Sequence, residues 1–423
     1  MSASANNVAD TPLDVAAIKA DFPLLSRQVN GQQIVYLDSA ATSQKPRQVL
    51  NALNSYYEEI NANVHRGAYQ IAEQATSATE EARAHLQRFI NAPSDNEIVF
   101  TKNATEAINL VAYSWGRTNL NEGDSVLITA LEHHANIVPW QQLATERGVE
   151  IRWLPITDDG CLDMVDLEQM LDGVSLFAFS AASNVLGTLT PVRHLADAAH
   201  AAGALCLVDA SQAVPHLLTD VTEWDCDFMA FTGHKMCGPT GIGVLWGRAE
   251  LLDAMPPFLG GGEMILNVTR EGFIPNELPW KFEAGTPPIA EIIGLGSAVS
   301  YLESIGMDAV RAHEVALTDY ALCTLKERHG DDLIIHGPAA TGDRGGVLSI
   351  CYRDVHPHDL SQVLDQRGIC VRAGHHCAKP LMKVLGVGAT ARASLYIYND
   401  KTDVDLLSDA LAEAGEFFSH QPA

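Results

Sequence analysis

The amino-acid sequence predicts an α/β protein with a large domain on a mostly parallel sheet and a smaller α+β domain at the C-terminal end. Short apolar runs alternate with helical patterns up to about residue 300. Such alternation is typical of βαβ units with helices on both faces of a parallel sheet. Beyond that point a long helical stretch precedes short strands and a closing helix. The 423 residues also exceed what one hydrophobic core usually supports, which favours two domains.

The large domain is predicted to span residues 31–299 and the small domain residues 300–423. Residues 1–30 form an N-terminal segment that we expect to pack with the small domain. The predicted strands are NEIVFT, DSVLITA, VEIRWLP, VSLFAFSAA, ALCLVDA and DFMAFTG, and two of the helices between them are TEAINLVAYSWG and VRHLADAAHAAG. One long helical stretch is predicted over residues 297–330.

The formal net charge of the chain is −26 at neutral pH. This acidic balance repels nucleic-acid backbones and anionic lipid surfaces, so we predict neither nucleic-acid nor membrane partners. The first residues lack the basic and apolar regions of a signal peptide, and no run approaches 18 uncharged apolar residues. A cytoplasmic location is therefore expected.

Eight cysteines are scattered along the chain without a C-x-x-C pair. Several lie in apolar runs, where a buried thiol behaves as a small hydrophobic group. Cys377 differs, because it stands in RAGHHCAKP beside Arg372, His375 and His376, which would stabilise a thiolate. Metal ligation by the same run is the alternative, but three adjacent ligands without a second cluster do not fit a structural zinc site. We therefore predict a reactive thiol and no metal.

Polar residues follow four of the predicted strands, in the segments TKNATEA, ALEHHAN, DASQ and TGHK. Open parallel sheets bind ligands at the carboxyl ends of their strands, so these segments are the first candidates for a site. Lys235 could form a Schiff base with an aldehyde cofactor, although most loop lysines are merely solvated. Asp209 ends a buried strand, where a carboxylate needs a cationic partner or hydrogen-bond donors.

A pyridine ring on the cofactor would provide that partner. A protonated pyridine nitrogen pairs with a carboxylate and makes the ring an electron sink, whereas a helix cap or a salt bridge is the alternative role for Asp209. Gln212 could donate to a phenolate oxygen on the ring. His133 could lie flat on the ring, although a lone histidine is more often structural.

A phosphate group fits the segment that opens a helix after the first of these strands. The backbone N–H groups of Ala104 and Thr105 and the Thr105 hydroxyl could hold it, although capping without a ligand is common. Thr232 and His234 are further candidate donors. These residues occur in the order that one pyridoxal phosphate (PLP) site in a doubly wound sheet requires, and together they predict PLP as the cofactor.

Ten motifs cover nearly the whole chain: YLDSAAT, NVHRGAY, NATEAINLV, EHHANIVPW, SNVLG, VDASQAV, GHKMCGPTGIGVLWG, FEAGTP, RAGHHCAKPLM and ARASLYIYN. With them the sequence resembles the SufS-type cysteine desulfurases, which belong to class V of the fold-type I PLP-dependent transferases. The resemblance implies a seven-stranded sheet, a homodimer, and conversion of L-cysteine to L-alanine with a persulfide on Cys377. The sulfur would be donated to iron–sulfur cluster assembly.

The resemblance also assigns roles to single residues. Lys235 would hold the cofactor covalently, and His133 would stack on its ring. The contacts to the ring nitrogen, the phenolate oxygen and the ring edge would come from Asp209, Gln212 and Asn184. The phosphate contacts would come from Ala104, Thr105, Thr232 and His234, with Thr286 reaching in from a second subunit. The substrate carboxylate would be clamped by Arg392, assisted by Arg372 and Asn184.

The segment DVHPHDLSQVLD resembles the branch whose sulfur acceptor is a zinc-bearing SufU-type protein. By that resemblance His358 would bind the partner's zinc during transfer. A SufE-type acceptor, and an exposed loop histidine without a role, are the alternatives. Met236-Cys237 and Pro288 depart from the pattern of relatives, which often have leucine, tyrosine and asparagine there, and could alter loop packing or the subunit contact.

Three other functions would use much of the same site. A selenocysteine lyase shares the fold and the cofactor but needs less from Cys377. An aminotransferase or another class V lyase would use Lys235 and Asp209 and be indifferent to the cysteine. A non-catalytic sulfur-assembly component that binds PLP structurally is disfavoured because Lys235, Cys377 and Arg392 are all present.

Overall fold

The computed structural model describes residues 13–419 of the chain. The α-helices are Val15–Ala20 (α1), Arg47–Glu59 (α2), Gln70–Phe89 (α3), Ala104–Val111 (α4), Arg117–Asn119 (α5), Val138–Arg147 (α6), Leu167–Leu171 (α7), Val192–Ala201 (α8), Val221–Trp224 (α9), Ala249–Ala254 (α10), Ile289–Ile305 (α11), Met307–His329 (α12), Pro357–Gln366 (α13), Lys379–Val384 (α14) and Lys401–Ser419 (α15). The strands are Gln28–Val29 (β1), Gln32–Gln33 (β2), Val35–Tyr36 (β3), Ile98–Thr101 (β4), Ser125–Thr129 (β5), Glu150–Leu154 (β6), Val174–Ser180 (β7), Leu205–Asp209 (β8), Phe228–Thr232 (β9), Gly243–Gly247 (β10), Ile265–Val268 (β11), Phe273–Pro275 (β12), Leu333–His336 (β13), Val347–Tyr352 (β14), Ile369–Cys370 (β15), Arg372–Gly374 (β16) and Thr390–Ser394 (β17).

Seven strands form the central sheet in the order β4-β10-β9-β8-β7-β5-β6. The pairs β9-β8, β8-β7, β7-β5 and β5-β6 are parallel, which confirms the predicted α/β class and the mostly parallel sheet. The six predicted strand runs all lie in this sheet. The seventh strand, β10, is antiparallel to both of its neighbours. It follows β9 after a connection of ten residues, which is too short for the crossover that a parallel neighbour needs.

Both faces of this sheet are buried against helices. Alternate side chains of β7 belong to two separate hydrophobic cores, with Phe177 and Phe179 in one and Leu176 and Ala178 in the other. The first core also contains residues of α3, α8 and α11, and the second contains residues of α4 and α6. A strand that is buried on both faces has an apolar residue at nearly every position, which explains why these strands are continuous apolar runs rather than alternating ones.

The C-terminal part of the chain builds a second sheet, which is antiparallel and has the order β13-β14-β17-β16. It packs against α12, α13 and α15 in a separate core. The predicted single helical stretch over residues 297–330 is wrong in one respect, because it breaks at Gly306, where φ is 89°. A φ value of this sign favours glycine, and α11 and α12 meet there as two helices.

The described part of the N-terminal segment contacts helix α15, and its residues Phe22 and Leu25 belong to the first hydrophobic core of the large sheet. The Lys19 ammonium lies 3.0 Å from the Asp403 carboxylate of α15, and the Phe22 ring packs edge-on against Tyr301 and Tyr398. Strand β3 pairs in parallel with β15 of the C-terminal part. Residues 1–12 of the predicted N-terminal segment lie outside the described residues. The domain limits at residues 30 and 299 stay predictions.

The three longest helices are α3, α12 and α15, with 20, 23 and 19 residues. Each carries charged side chains on an exposed face. Within residues 13–419, no helix combines the length and the apolar character that crossing a bilayer requires.

Candidate active site

A cleft of about 200 Å³ opens at the carboxyl ends of β7, β8 and β9 and is closed on one side by residues of β16 and β17. Twelve of the fourteen predicted site residues line it. They are Ala104, Thr105, His133, Asn184, Asp209, Gln212, Thr232, His234, Lys235, Arg372, Cys377 and Arg392. Because parallel strands all end at the same edge of a sheet, residues that are far apart in sequence meet here.

Lys235 lies in the short turn between β9 and β10. Residues Gly233–Lys235 form one turn of 3₁₀ helix, which directs the side chain into the cleft. Burial lowers the pKa of the Lys235 amine to about 8, against the opposing attraction of Asp209 and with the help of the Arg392 charge. A lowered pKa makes the uncharged, nucleophilic form of the amine more accessible near neutral pH.

Asp209 is the last residue of β8 and is nearly buried, with 6% of its surface exposed. One carboxylate oxygen, Oδ1, accepts a hydrogen bond from the Ser211 backbone N–H at 3.0 Å. Gln212 follows in the next turn, and its side-chain amide donates to the Ala40 carbonyl at 2.7 Å. One of the two Gln212 amide hydrogens is therefore already used, and the other is available for a phenolate oxygen.

An anion-binding cradle forms where α4 begins. The Asn103 side chain caps the helix by accepting the Glu106 N–H at 2.9 Å, and the Asn103 carbonyl accepts the Ala107 N–H. The N–H groups of Ala104 and Thr105 have no such acceptor among the described residues, and both residues line the cleft. Helix N-termini with free N–H groups bind phosphate.

Thr232 and His234 stand on the other side of this cradle. The Thr232 Oγ1 atom is buried and has no hydrogen-bond partner within residues 13–419. A buried hydroxyl without a partner is costly, and a phosphate oxygen would satisfy it. Burial, together with the charges of Lys235 and Lys45, lowers the pKa of His234 to about 4, so its ring is neutral at pH 7 and offers one N–H donor.

Backbone packing keeps the cradle narrow. Strand β10 passes directly behind it at Gly243, where an added Cβ would lie 2.5 Å from the Asn103 Cα. Only glycine allows this approach, because a real Cβ atom essentially never comes within 3.0 Å of another heavy atom. The glycine-rich continuation after Lys235 thus has a steric function that does not involve the ligand.

His133 begins the 3₁₀ turn His134–Asn136, and its Nδ1 atom accepts the Ala135 N–H at 3.1 Å. Burial and the neighbouring Lys235 charge lower the His133 pKa to about 4. The ring is therefore neutral at pH 7, with its proton on Nε2. A neutral ring can lie on a pyridine ring without charge repulsion from a protonated ring nitrogen.

Glu132, which received no role from the sequence, stabilises the turn that carries His133. Its buried carboxylate accepts hydrogen bonds from the Thr129 hydroxyl at 2.6 Å, the Asn136 amide at 2.7 Å, and the Ser180 hydroxyl and N–H at 2.7 and 2.9 Å. Burial raises the Glu132 pKa to about 7, although these hydrogen bonds oppose the shift. The residue ties the ends of β5 and β7 to the turn that carries His133. Its position next to His133 at a strand end was the available signal.

Arg392 and Arg372 bring two positive charges to the cleft that Lys235 also lines. Arg392 is 2% exposed, and its Nη1 donates to the Asn184 carbonyl at 2.8 Å. Its Nε has no partner among the described residues, and burial lowers its pKa to about 10. Both arginines contact Asp38, at 3.2 Å from Arg392 Nη2 and 3.3 Å from Arg372 Nε. Asp38 belongs to the YLDSAAT motif, but it had received no role from the sequence.

Cys377 is exposed at the rim of the cleft, in a turn that precedes α14. Of the three neighbours predicted to stabilise its thiolate, His376 does not supply a charge. Burial and the Arg392 charge lower the His376 pKa to about 3, and its Nε2 shares a hydrogen bond of 2.9 Å with the Thr390 hydroxyl. The Asn184 side chain donates to the His376 carbonyl at 2.8 Å, so this amide supports the cysteine turn as well as facing the cleft.

Thr286 and His358 lie away from the cleft. Thr286 is exposed in a separate groove beside Glu283 and Phe258, just before α11. Its predicted role belongs to a second subunit's site, so it stays a prediction. His358 is exposed in the first turn of α13, with its ring stacked on that of His356 at 5.5 Å between centroids.

The two departures from the family pattern differ in burial. Met236 and Cys237 are both completely buried in the first core, and the Cys237 N–H donates to the Ser43 hydroxyl at 2.8 Å. Pro288 is exposed and immediately precedes α11. Met236 and Cys237 therefore affect packing behind Lys235, whereas Pro288 affects a surface turn.

Within residues 13–419, one group of side chains comes close enough to share a metal ion. His200, Cys206 and Asp227 offer ligand atoms within 4.8 Å of one another, at the end of β8 away from the cleft. The Asp227 carboxylate there is bound by His200 Nε2 at 2.8 Å and by Arg248 Nε at 3.0 Å. These contacts satisfy the buried Asp227 carboxylate with the partly exposed side chains of His200 and Arg248. His375-His376-Cys377 is not part of this group.

The residues around the cleft fit PLP. A phosphate would satisfy the orphaned Thr232 hydroxyl and the free N–H groups of α4, and the amine of Lys235 faces the same space. Asp209 is the carboxylate that a ring nitrogen requires, and a neutral His133 suits the ring face. None of these residues would place a like charge against the phosphate or against the protonated ring nitrogen.

Comparisons with known proteins agree with this fit. The family described as "Aminotransferase class-V" matches residues 35–407. The chain is 52% identical over 412 residues to a probable cysteine desulfurase of Streptomyces coelicolor, covering 96% of this chain and 98% of that protein. It is 49% identical over 422 residues to a cysteine desulfurase of Haloferax volcanii, covering 96% and 98%.

Two solved structures are similar over nearly the whole chain. The apo structure of a cysteine desulfurase from Thermococcus onnurineus NA1 has a TM-score of 0.90 at 38% identity, covering 95% of this chain and 98% of that one. The cysteine desulfurase CsdA from Escherichia coli, in its S-sulfonic acid form, has a TM-score of 0.88 at 37% identity, covering 96% and 100%. The chain therefore belongs to the class-V aminotransferase family, and within this PLP-dependent family its relatives are cysteine desulfurases.

Proposed function

We propose that the chain is a cysteine desulfurase, a sulfurtransferase that converts L-cysteine to L-alanine and retains the sulfur as a persulfide on Cys377. One observation carries the proposal: a single cleft presents the Lys235 amine, the Arg392 guanidinium and the Cys377 thiol together. An amino acid needs the first two groups for its amine and its carboxylate. An exposed thiol at the rim is required only if the side chain of the substrate is to be attacked.

The protein residues would divide the work of holding the cofactor. Ala104, Thr105, Thr232 and His234 would bind the phosphate, while Asp209 and His133 would fix the ring nitrogen and the ring face. Bound PLP supplies an aldehyde for the substrate amine and a protonated ring that withdraws electrons from the substrate Cα. Lys235 would be the base that takes the Cα proton, and its lowered pKa suits this role.

Arg392 and Arg372 would orient the substrate through its carboxylate. The Arg392 Nε is buried without a partner, so a carboxylate oxygen would satisfy it directly. The Asp38 carboxylate contacts both guanidinium groups and thereby limits how far apart they can move. With the carboxylate fixed here and the amine at Lys235, the substrate side chain points toward the rim that carries Cys377.

Cys377 then attacks the substrate sulfur as a thiolate. The new S–S bond forms as the substrate Cβ–S bond breaks, and Cβ gains a proton before alanine leaves. The outer sulfur stays on Cys377 until an acceptor thiol removes it. Exposure of Cys377 at the rim gives an acceptor access to the persulfide.

The acceptor and the assembly belong to this proposal. We favour a SufU-type acceptor, with SufE-type as the alternative, because His358 is exposed on α13 and free to meet a partner's zinc. A homodimer would bring Thr286 of one subunit to the phosphate of the other. Iron–sulfur cluster assembly would receive the sulfur.

The test is to incubate the purified holoprotein with L-cysteine and a thiol acceptor and to measure alanine, sulfide and the visible absorbance of the bound cofactor. Wild type should release alanine, and Cys377→Ser should bind cysteine but release almost none. Cys323→Ser removes another exposed cysteine, on α12, and serves as the matched control. Equal alanine release by wild type and Cys377→Ser would contradict the sulfur role and favour another class V reaction. Faster turnover of selenocysteine, independent of Cys377, would favour the lyase.

A further inference from the structure

The turn that carries Cys377 has an unusual backbone. His376 and Cys377 have φ values of 50° and 56°, so two consecutive non-glycine residues occupy the left-handed region. This conformation is strained and persists only where surrounding contacts hold it. Cys377 is also exposed, so packing of its own side chain cannot supply those contacts.

Two residues in the loops that follow β5 and β7 hold the turn by hydrogen bonds. Asn184 donates to the His376 carbonyl at 2.8 Å. His134 makes two contacts with this turn: its backbone N–H donates to the Cys377 carbonyl at 2.7 Å, and its side-chain Nε2 accepts the Lys379 N–H, two residues further on, at 3.0 Å. Further support comes from Thr390 of β17, whose hydroxyl shares a hydrogen bond of 2.9 Å with His376 Nε2, and from within the turn, where the Cys377 N–H donates to His375 Nδ1 at 3.2 Å.

The Lys379 contact imposes a protonation state on His134. Its Nε2 accepts a hydrogen bond from a backbone N–H, so this nitrogen must carry a lone pair and the ring must be neutral with its proton on Nδ1. Partial burial, followed by the His375 and Lys379 charges, lowers the pKa of His134. The groups facing its ring are His375 at 5.7 Å, His133 at 6.3 Å and Lys379. Burial, His375 and Lys379 all favour the neutral ring that the contact requires.

We propose that His134 is a positioning residue that holds the Cys377 turn over the cleft, and that it does so only while its imidazole is neutral. The proposal rests on the proposed function of Cys377 as the sulfur-accepting thiol. His134 adjoins His133, so the turn that carries the predicted ring-stacking histidine and the turn that carries the thiol are joined by one residue. Protonation of His134 at acid pH would remove the acceptor for Lys379 and release one side of the thiol turn.

Two variants separate this role from a general structural one. His134→Ala removes the side-chain acceptor, whereas His134→Gln replaces it with an amide oxygen that does not titrate. His194→Gln, at an exposed position on α8, is the matched control. The first measurement is single-turnover persulfide formation on the Cys377 peptide by mass spectrometry. We expect at least a tenfold slower rate in His134→Ala, with the KM for cysteine within twofold of wild type, and recovery to within threefold in His134→Gln at pH 8.

The second measurement is the ratio of the wild-type rate to the His134→Gln rate as a function of pH. Effects of pH that the two proteins share, such as those on the substrate, cancel in the ratio. We expect the ratio to fall as the pH is lowered below 6.5, because only wild type loses its acceptor there. A constant ratio, or an equal slowing in His134→Ala of the absorbance change that follows cysteine addition, would overturn the proposal.

The third measurement does not depend on activity. Hydrogen exchange of the Lys379 amide, followed in the cofactor-free and cofactor-bound proteins, should be at least tenfold faster in His134→Ala than in wild type or His194→Gln. Unchanged exchange would contradict the positioning role even if the enzyme were inactive. If wild type forms no alanine but the Lys379 amide still exchanges faster in His134→Ala than in wild type, the proposed function is contradicted and the His134 contact is established.

Discussion

Lys235 and Cys377 face the same cleft, but the chain holds them in different ways. Lys235 follows a completely buried strand and sits in a short turn whose glycines let the neighbouring backbones touch. Cys377 is exposed in a turn with two left-handed residues, held by hydrogen bonds from a distant segment. The cofactor side is thus positioned by the core of the sheet, whereas the thiol side is positioned by a few contacts that can be altered without unfolding it.

Lys235→Ala is expected to have the largest effect, on the cofactor side alone. Loss of the proposed covalent anchor and base should reduce alanine formation by about a thousandfold or more, with loss of the visible absorbance of the bound cofactor. Alkylation of Cys377 by iodoacetamide, measured by peptide mass spectrometry, should change by less than twofold. Lys326→Ala, at an exposed position on α12, is the control. A large change in Cys377 reactivity would show that the two regions are not independent.

Arg392→Lys tests the arginine pair that we propose binds the substrate carboxylate. Lysine keeps the positive charge but lacks the planar guanidinium group. That group contacts Asp38 and the Asn184 carbonyl and can bind a carboxylate at two points. We expect the KM for cysteine to rise about 30-fold, as loss of a charged hydrogen bond implies, with a smaller change in kcat. Steady-state kinetics with Arg117→Lys as the control would measure it, since Arg117 makes an exposed ion pair with Glu146. A pure kcat effect would contradict a carboxylate-binding role.

Thr232→Val tests the proposed contact between the Thr232 hydroxyl and the cofactor phosphate. The Thr232 hydroxyl has no partner among the described residues, so removing it should leave the Tm of the cofactor-free protein unchanged or slightly raised. The Kd for PLP should increase about tenfold, because a buried phosphate contact is lost. Titration of the apoprotein with PLP gives the affinity, and thermal unfolding gives the Tm. A lower Tm with unchanged PLP affinity would contradict phosphate binding by this hydroxyl.

Glu132→Gln is expected to have the smallest effect, on stability as a function of pH. Burial raises the folded-state pKa of Glu132 to about 7, so the folded protein binds this proton more tightly than the unfolded chain does. Its contribution to stability is therefore full at pH 4.5 and is lost as the pH rises to 7, by about 1–3 kcal/mol. The Tm of wild type minus the Tm of Glu132→Gln should therefore fall by a few degrees over that range. An increasing difference would have the wrong sign.

Much of the cofactor side could be predicted from the sequence. Lys235, Asp209, Thr232 and Ala104 each follow an apolar run that is recognisable as a strand, and the ends of parallel strands meet at one edge. Local pattern therefore predicted a long-range cluster. The antiparallel strand β10 was not among the predicted strands, because a glycine-rich segment of mixed residues carries a weaker pattern than the apolar runs beside it.

The thiol side was less accessible to sequence reasoning. The cationic neighbours of Cys377 predicted its reactivity, but His376 proved to be buried and neutral, since the direction of a side chain in a left-handed turn is not visible in its sequence. Asp38 lies in a matched motif and Glu132 lies next to His133, but neither position by itself separates a positioning carboxylate from an ordinary one. Their roles depend on partners that only the fold supplies.

By itself, the sequence determined the fold class, the cofactor and the residues that end the buried strands, because hydrophobic periodicity and strand-end chemistry are local properties. Only the tertiary structure decided how the two arginines share Asp38, how Glu132 supports His133, and how His134 holds the Cys377 turn. Those contacts join residues up to 354 positions apart. No local pattern encodes them, because they arise only when separately formed elements pack together.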